Sequence, residues 1–209
     1  MQKLLDNILN TPVKVKILRL LTYRPPTYLV SGREIARLIH VSAPTAHAAL
    51  KELYNTDILQ LEIISRNHIY RLNIKNRTVK DIIIPMFKKE ESLKQDIITF
   101  IKKQITSNNI KKNIISLILY GSFQTETTTE KSDIDIAIIA ESSAATQKIE
   151  KTFSKEITDK FHDYFGIHLD IYIKTKEEFI ERLKKNLPPV STLIKSYYII
   201  YGKDPLDLK

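Results

Sequence analysis

Hydrophobic spacing along the chain alternates between a period near 3.6 and a period of 2, and the changes mark the elements. Thr11-Pro12 reads as a helix start, with Thr as N-cap and Pro in the first turn. Val13, Ile17, Leu20 and Leu21 then recur at helical spacing until Pro25-Pro26 ends the element. Ser31 caps a second helix over Gly32 to His40, whose Ile35, Leu38 and Ile39 form a short stripe. After Val41, Ser42 caps a third helix carrying Ala46, Leu50 and Leu53. The β-rich runs 58–64 and 69–72, joined by the polar turn Ser65-Arg66-Asn67-His68, predict a hairpin. Residues 81–108 then read as one long amphipathic helix, and its apolar stripe suits equally a homodimer seam or packing on its own domain.

The second half is strand-rich. Ile114 to Tyr120 and Ile134 to Ile139 are apolar runs of strand length. A helix is predicted over 143–165, an alternating strand over 167–173, a helix over 176–186 ended by Pro188-Pro189, and a closing strand through Tyr197-Tyr198-Ile199-Ile200-Tyr201. The Tyr cluster there reads as core and strand propensity rather than chemistry. The predicted class is α+β in two domains: residues 1–80, a connecting helix over 81–112, and residues 113–209.

Charge adds a partner. Residues 1–80 hold 13 Lys/Arg against 5 Asp/Glu, residues 81–112 hold 7 against 4, and residues 113–209 hold 13 against 15. Nearly all of the net +9 lies in the first third, which points to a polyanion there, nucleic acid first. With no cysteine, disulfides, thiolate metal sites and thiol chemistry are excluded. No apolar run approaches a membrane span, so the expectation is a cytoplasmic protein without a membrane partner.

The candidate chemistry lies between the two apolar strands. Gly121-Ser122 offers a turn with backbone N–H groups and a hydroxyl, which suit phosphate. After a polar loop, Asp133 and Asp135 alternate with Ile134 and Ile136, so both carboxylates point the same way. Two carboxylates side by side repel unless they share a cation, and hard oxygen ligands suit magnesium.

This Gly-Ser, loop, Asp-x-Asp pattern resembles the DNA polymerase beta-like nucleotidyltransferases, and most of all their minimal domains. The resemblance makes Asp170, in the later alternating strand, the third carboxylate. It implies Asp133, Asp135 and Asp170 as catalytic residues and ligands of two Mg2+ ions, with Gly121 and Ser122 holding the phosphates of a nucleoside triphosphate. The implied reaction moves a nucleoside monophosphate onto a protein or small-molecule hydroxyl. The chain departs from the pattern at Thr125-Glu126, where minimal domains commonly carry Arg-Gly. That departure favours a second reading, a DNA-binding regulator whose nucleotidyltransferase domain senses nucleotide or is inactive.

Residues 10–75 resemble a winged helix–turn–helix, with Val41 to Leu53 as turn and recognition helix and Asp57 where a glycine is usual. That resemblance implies Ser42, Thr45 and His47 as DNA contacts on the helix, and Arg66 and His68 as contacts from the wing tip. The exposed part of this helix is poor in Arg, Asn and Gln, the residues that read bases bidentately.

Overall fold

The structure, a computed structural model, describes residues 4–25, 27–65, 67–121 and 133–208. It divides into two compact units, residues 1–94 and 95–209.

The amino-terminal unit opens with α1 (Leu4–Ile8) and α2 (Pro12–Tyr23), followed by the short strand β1 (Val30–Ser31), α3 (Gly32–Leu38) and α4 (Ala43–Asn55). The hairpin β2 (Leu59–Ile64) and β3 (Asn67–Leu72) comes next, then a π-turn at Val79–Ile83 and α5 (Ile84–Glu91). The three expected caps form: Thr11, Ser31 and Ser42 accept from the backbone N–H groups of Lys14, Glu34 and Thr45. Each satisfies one of the N–H groups a helix start leaves unpaired. Asp57 adopts φ 57°, the left-handed conformation that an Asp tolerates before β2. In the three-stranded sheet β3 is central, antiparallel to both β1 and β2. Ile8, Ile17, Leu18, Ile35, Leu50, Leu53, Ile83 and Phe87 are among the residues of its core.

Lys14 is a charged member of that interior, only 3% exposed. Its Nζ donates to Asn7 O at 2.7 Å and Asn10 Oδ1 at 3.0 Å, and pairs with Glu52 Oε2 at 2.6 Å. It thereby ties the segment after α1 to α4. Lys14→Met keeps the buried stem but orphans the Asn7 carbonyl. The expected loss is about 1–3 kcal/mol, read by urea denaturation. Glu52→Gln should cost less, because Glu52 is well exposed and remains solvated.

The carboxyl-terminal unit begins within α6 (Leu93–Ser107) and builds a four-stranded sheet from β4 (Ile114–Tyr120), β5 (Ile134–Ala140), β6 (Leu169–Thr175) and β7 (Tyr197–Gly202). The order is β6-β5-β4-β7, with β5 and β6 parallel and the other pairs antiparallel. Between these strands lie α7 (Ser143–Thr152), α8 (Lys155–Phe165), α9 (Lys176–Lys184) and α10 (Val190–Leu193). Helices α7, α8 and α9 pack on β5 and β6. Both faces of β4 and β5 are consequently buried. Phe100 of α6 meets Phe161 and Phe165 of α8 edge-on, at 5.4 and 5.7 Å between centroids.

Two expected helices are each divided. The 81–108 segment breaks at Ser92, whose hydroxyl donates to Lys89 O and so competes with the backbone ladder. Its stripe divides too: Ile83 and Phe87 are buried, and so are Ile97, Ile98, Ile101 and Ile105, while Ile82 and Met86 stay exposed. The 143–165 segment breaks after Thr152: Phe153 leaves helical geometry at ψ 43° and Ser154 is extended. No helix among the described residues is long and apolar enough to cross a membrane.

Candidate active site

One row of side chains crosses the end of the four-stranded sheet. Asp170 pairs directly with Asp135, Asp135 with Tyr120, and Tyr120 with Tyr197. Directly paired residues stand on the same face, so two carboxylates and two phenols form a line across four strands. Asp133 is exposed at the entry to β5, two residues before Asp135, and Asp170 is also exposed. Asp135 is half-buried between its neighbours.

The electrostatics follow from this placement. Burial pushes the Asp135 carboxyl above the ordinary range, and the negative charges of Asp170 and Asp133 push it further. The Tyr120 hydroxyl is pushed up to about 12 by burial, with Asp135 and Asp170 adding to the effect. Among the described residues, no Lys, Arg or His pairs with Asp133, Asp135 or Asp170. Among the described residues the three acids therefore share a negative field with no cation paired to it.

That field fits a hard divalent cation in donor type and charge. Among the described residues no three His, Cys, Asp or Glu side chains converge closely enough to enclose a metal by themselves. The fit is to a carboxylate pair in register with a third acid at its mouth, leaving coordination positions for phosphate oxygens and water.

Gly121 closes β4 at φ 81°, a conformation that favours glycine. A Cβ built there would overlap Asp135 Oδ2 and lie 3.0 Å from Asp135 Cγ. The glycine thus lets the turn pass directly over the central carboxylate. Ser122 lies outside the described residues, as do Thr125 and Glu126.

Sequence reasoning did not single out Tyr120. The signal was present, since it immediately precedes Gly121, but its membership of the row depends on the β4–β5 register. Tyr197 was assigned to strand propensity; its hydroxyl donates to Asp204 Oδ1 at 2.6 Å, which fixes the end of the row.

Residues 101–200 match the nucleotidyltransferase domain family. The matched segment contains β4, β5 and β6 and every member of the row. A toxin-antitoxin crystal structure with AMP-PNP is similar at 17% identity, over 53% of this chain and 77% of that one, with a TM-score of 0.33. Among curated proteins none matches the chain.

The expected nucleic-acid contacts lie in the other unit. Ser42 Oγ and Thr45 Oγ1 are 2.7 Å apart and exposed at the start of α4. His47 on α4 and His68 on β3 face a common groove of about 750 Å3, which Arg33, Asn67 and Tyr70 also line. Arg66 lies outside the described residues.

Proposed function

We propose that the carboxyl-terminal unit transfers a nucleoside monophosphate from a nucleoside triphosphate to a hydroxyl of a protein or small molecule, with magnesium. The observation that carries the reading is the in-register pair Asp135–Asp170 beneath Gly121, uncompensated among the described residues and inside the matched segment. Asp133 and Asp135 hold the metal side of the site, and Asp170 accepts the proton of the attacking hydroxyl. The hydroxyl oxygen bonds to the α-phosphorus as the bond to the leaving pyrophosphate breaks. The Gly121 backbone, lying against the Asp135 carboxylate, and the Ser122 hydroxyl hold the phosphates. Bound magnesium would supply charge neutralisation of the phosphates and polarisation of the phosphorus.

The test is thermal denaturation of the full chain with Mg2+ and each nucleoside triphosphate. A ligand of the folded state at a hundredfold excess over its Kd adds about 2.7 kcal/mol. A shift that needs both magnesium and nucleotide is expected; none with any nucleotide would defeat the reading.

The amino-terminal unit we read as a winged-helix DNA-binding module. Support comes from three capped helices followed by a hairpin, the excess of 13 basic over 5 acidic residues in 1–80, and the groove between α4 and β3. Combined replacement Arg66→Ala and His68→Ala should weaken duplex DNA binding. The salt dependence should flatten by about 0.9 in log–log slope for each phosphate no longer neutralised, measured by fluorescence anisotropy. Unchanged affinity and slope would remove the hairpin tip from the interface. The basic excess in residues 1–80 and the Thr125-Glu126 departure together favour the second reading, a regulator that uses nucleotide only as a signal; it predicts the thermal shift without any transfer.

A further inference from the structure

A second cavity in the amino-terminal unit has a different chemistry from the groove at α4. It measures about 570 Å3, within the size range of small-molecule sites. Leu21 from α2, Leu72 from β3 and Ile84 from α5 supply apolar lining, and Tyr28 supplies an aromatic ring. Among the described residues, four cationic side chains line the same space, Arg24, Arg71, Lys75 and Lys88, against a single acid, Glu91.

Two of the cations are held in place. The Arg24 guanidinium sits 5.2 Å from the Tyr28 ring centroid. Arg71 donates to Gln60 Oε1 at 3.1 Å, and Gln60 in turn donates to Asn73 Oδ1 at 3.0 Å. Among the described residues, Arg24, Lys75 and Lys88 form no ion pair. The wall is also fixed: Arg19 makes two bonds to Glu90, at 2.7 and 2.9 Å, and the Tyr23 hydroxyl donates to Glu90 at 2.9 Å. This triad joins α2 to α5 across one side of the cavity, so the site needs little ordering when a ligand enters.

We propose that this cavity binds a small amphipathic anion, a flat apolar body carrying a carboxylate or phosphate. The apolar lining and Tyr28 would take the body, and Arg24, Lys75 and Lys88 the charge. A neutral apolar compound would leave the cations without a partner, and a bare inorganic anion would leave the apolar lining uncovered.

The experiment is calorimetric titration of the full chain with 4-phenylbutyrate, 4-nitrophenyl phosphate and the neutral 4-phenylbutanol. Saturable one-site binding of at least one anion is expected, with the alcohol much weaker. Preference between the two anions reports whether the natural headgroup is carboxylate or phosphate. The double variant Arg24→Ala/Lys88→Ala alters exposed side chains and should keep the melting temperature while weakening binding about tenfold or more. Leu72→Trp, which fills the cavity, should block binding with both cations intact. No saturable binding of either anion, equal binding of the alcohol, or anion binding unmoved in both variants would overturn the assignment.

Discussion

Asp135→Asn should lose nucleotide transfer and the magnesium-dependent thermal shift, yet be slightly more stable than wild type without ligand. The two effects share one cause. Asp135 is pressed by burial and by Asp170 and Asp133, so its carboxyl is raised above the ordinary range. The folded chain therefore holds a proton that the unfolded chain releases, and stability falls as pH climbs from the ordinary carboxylate range through the raised one. Asparagine removes that penalty. Because the group is half-exposed, solvent screening keeps the gain small. The gain should vanish below the ordinary carboxylate range, where wild-type Asp135 is protonated in both states. Catalysis moves in the opposite direction: loss of one carboxylate from the proposed metal side of the site should lower transfer by about 100-fold or more. Calorimetric scans at neutral and acidic pH, beside a transfer assay with α-labelled nucleotide, separate the effects. Normal turnover in Asp135→Asn would remove this carboxylate from the site.

Gly121→Ala should be the most damaging small substitution in the carboxyl-terminal unit. Alanine at φ 81° costs about 1–2 kcal/mol in backbone strain. Its methyl would also overlap the Asp135 carboxylate, which must then rotate out of the row. Gly166 provides the control: it has φ 69° at the end of α8, but an added Cβ meets nothing within 4 Å. Gly166→Ala should show the strain alone, about 1 kcal/mol, and retain the nucleotide-dependent shift. Gly121→Ala should lose more stability and lose the shift. Equal behaviour of the two variants would mean that the overlap with Asp135 is relieved elsewhere.

What could be read from the sequence was what short-range chemistry dictates. Thr11, Ser31 and Ser42 were legible as caps because a side chain and a backbone N–H three residues on decide the matter between them. Asp57 was legible as a left-handed turn through the winged-helix resemblance, since it stands where a glycine is usual. The strands around Gly121 and Asp135 were legible from unbroken apolar runs. By contrast, the two-residue strand β1 exists only because Tyr70 and Ile69 lie opposite it. The breaks at Ser92 and Phe153 interrupt stripes whose spacing continues unchanged, so periodicity gave no sign of them. At the site, residue types and spacing pointed to Asp133 and Asp135, and the family resemblance added Asp170. That Asp170 stands opposite Asp135 is a matter of parallel register, and that Gly121 sits against Asp135 is a matter of antiparallel pairing. Neither is encoded within a short stretch.

Strand β3 borders both cavities of the amino-terminal unit: Asn67, His68 and Tyr70 line the groove beside α4, while Arg71 and Leu72 line the amphipathic one. As the middle strand of its sheet it pairs with β2 along its whole length and with β1 at Ile69 and Tyr70. A slide by one residue would turn every side chain to the opposite face, so β3 has no nearby register to move to. A change that displaces β3 would thus be felt at both cavities at once.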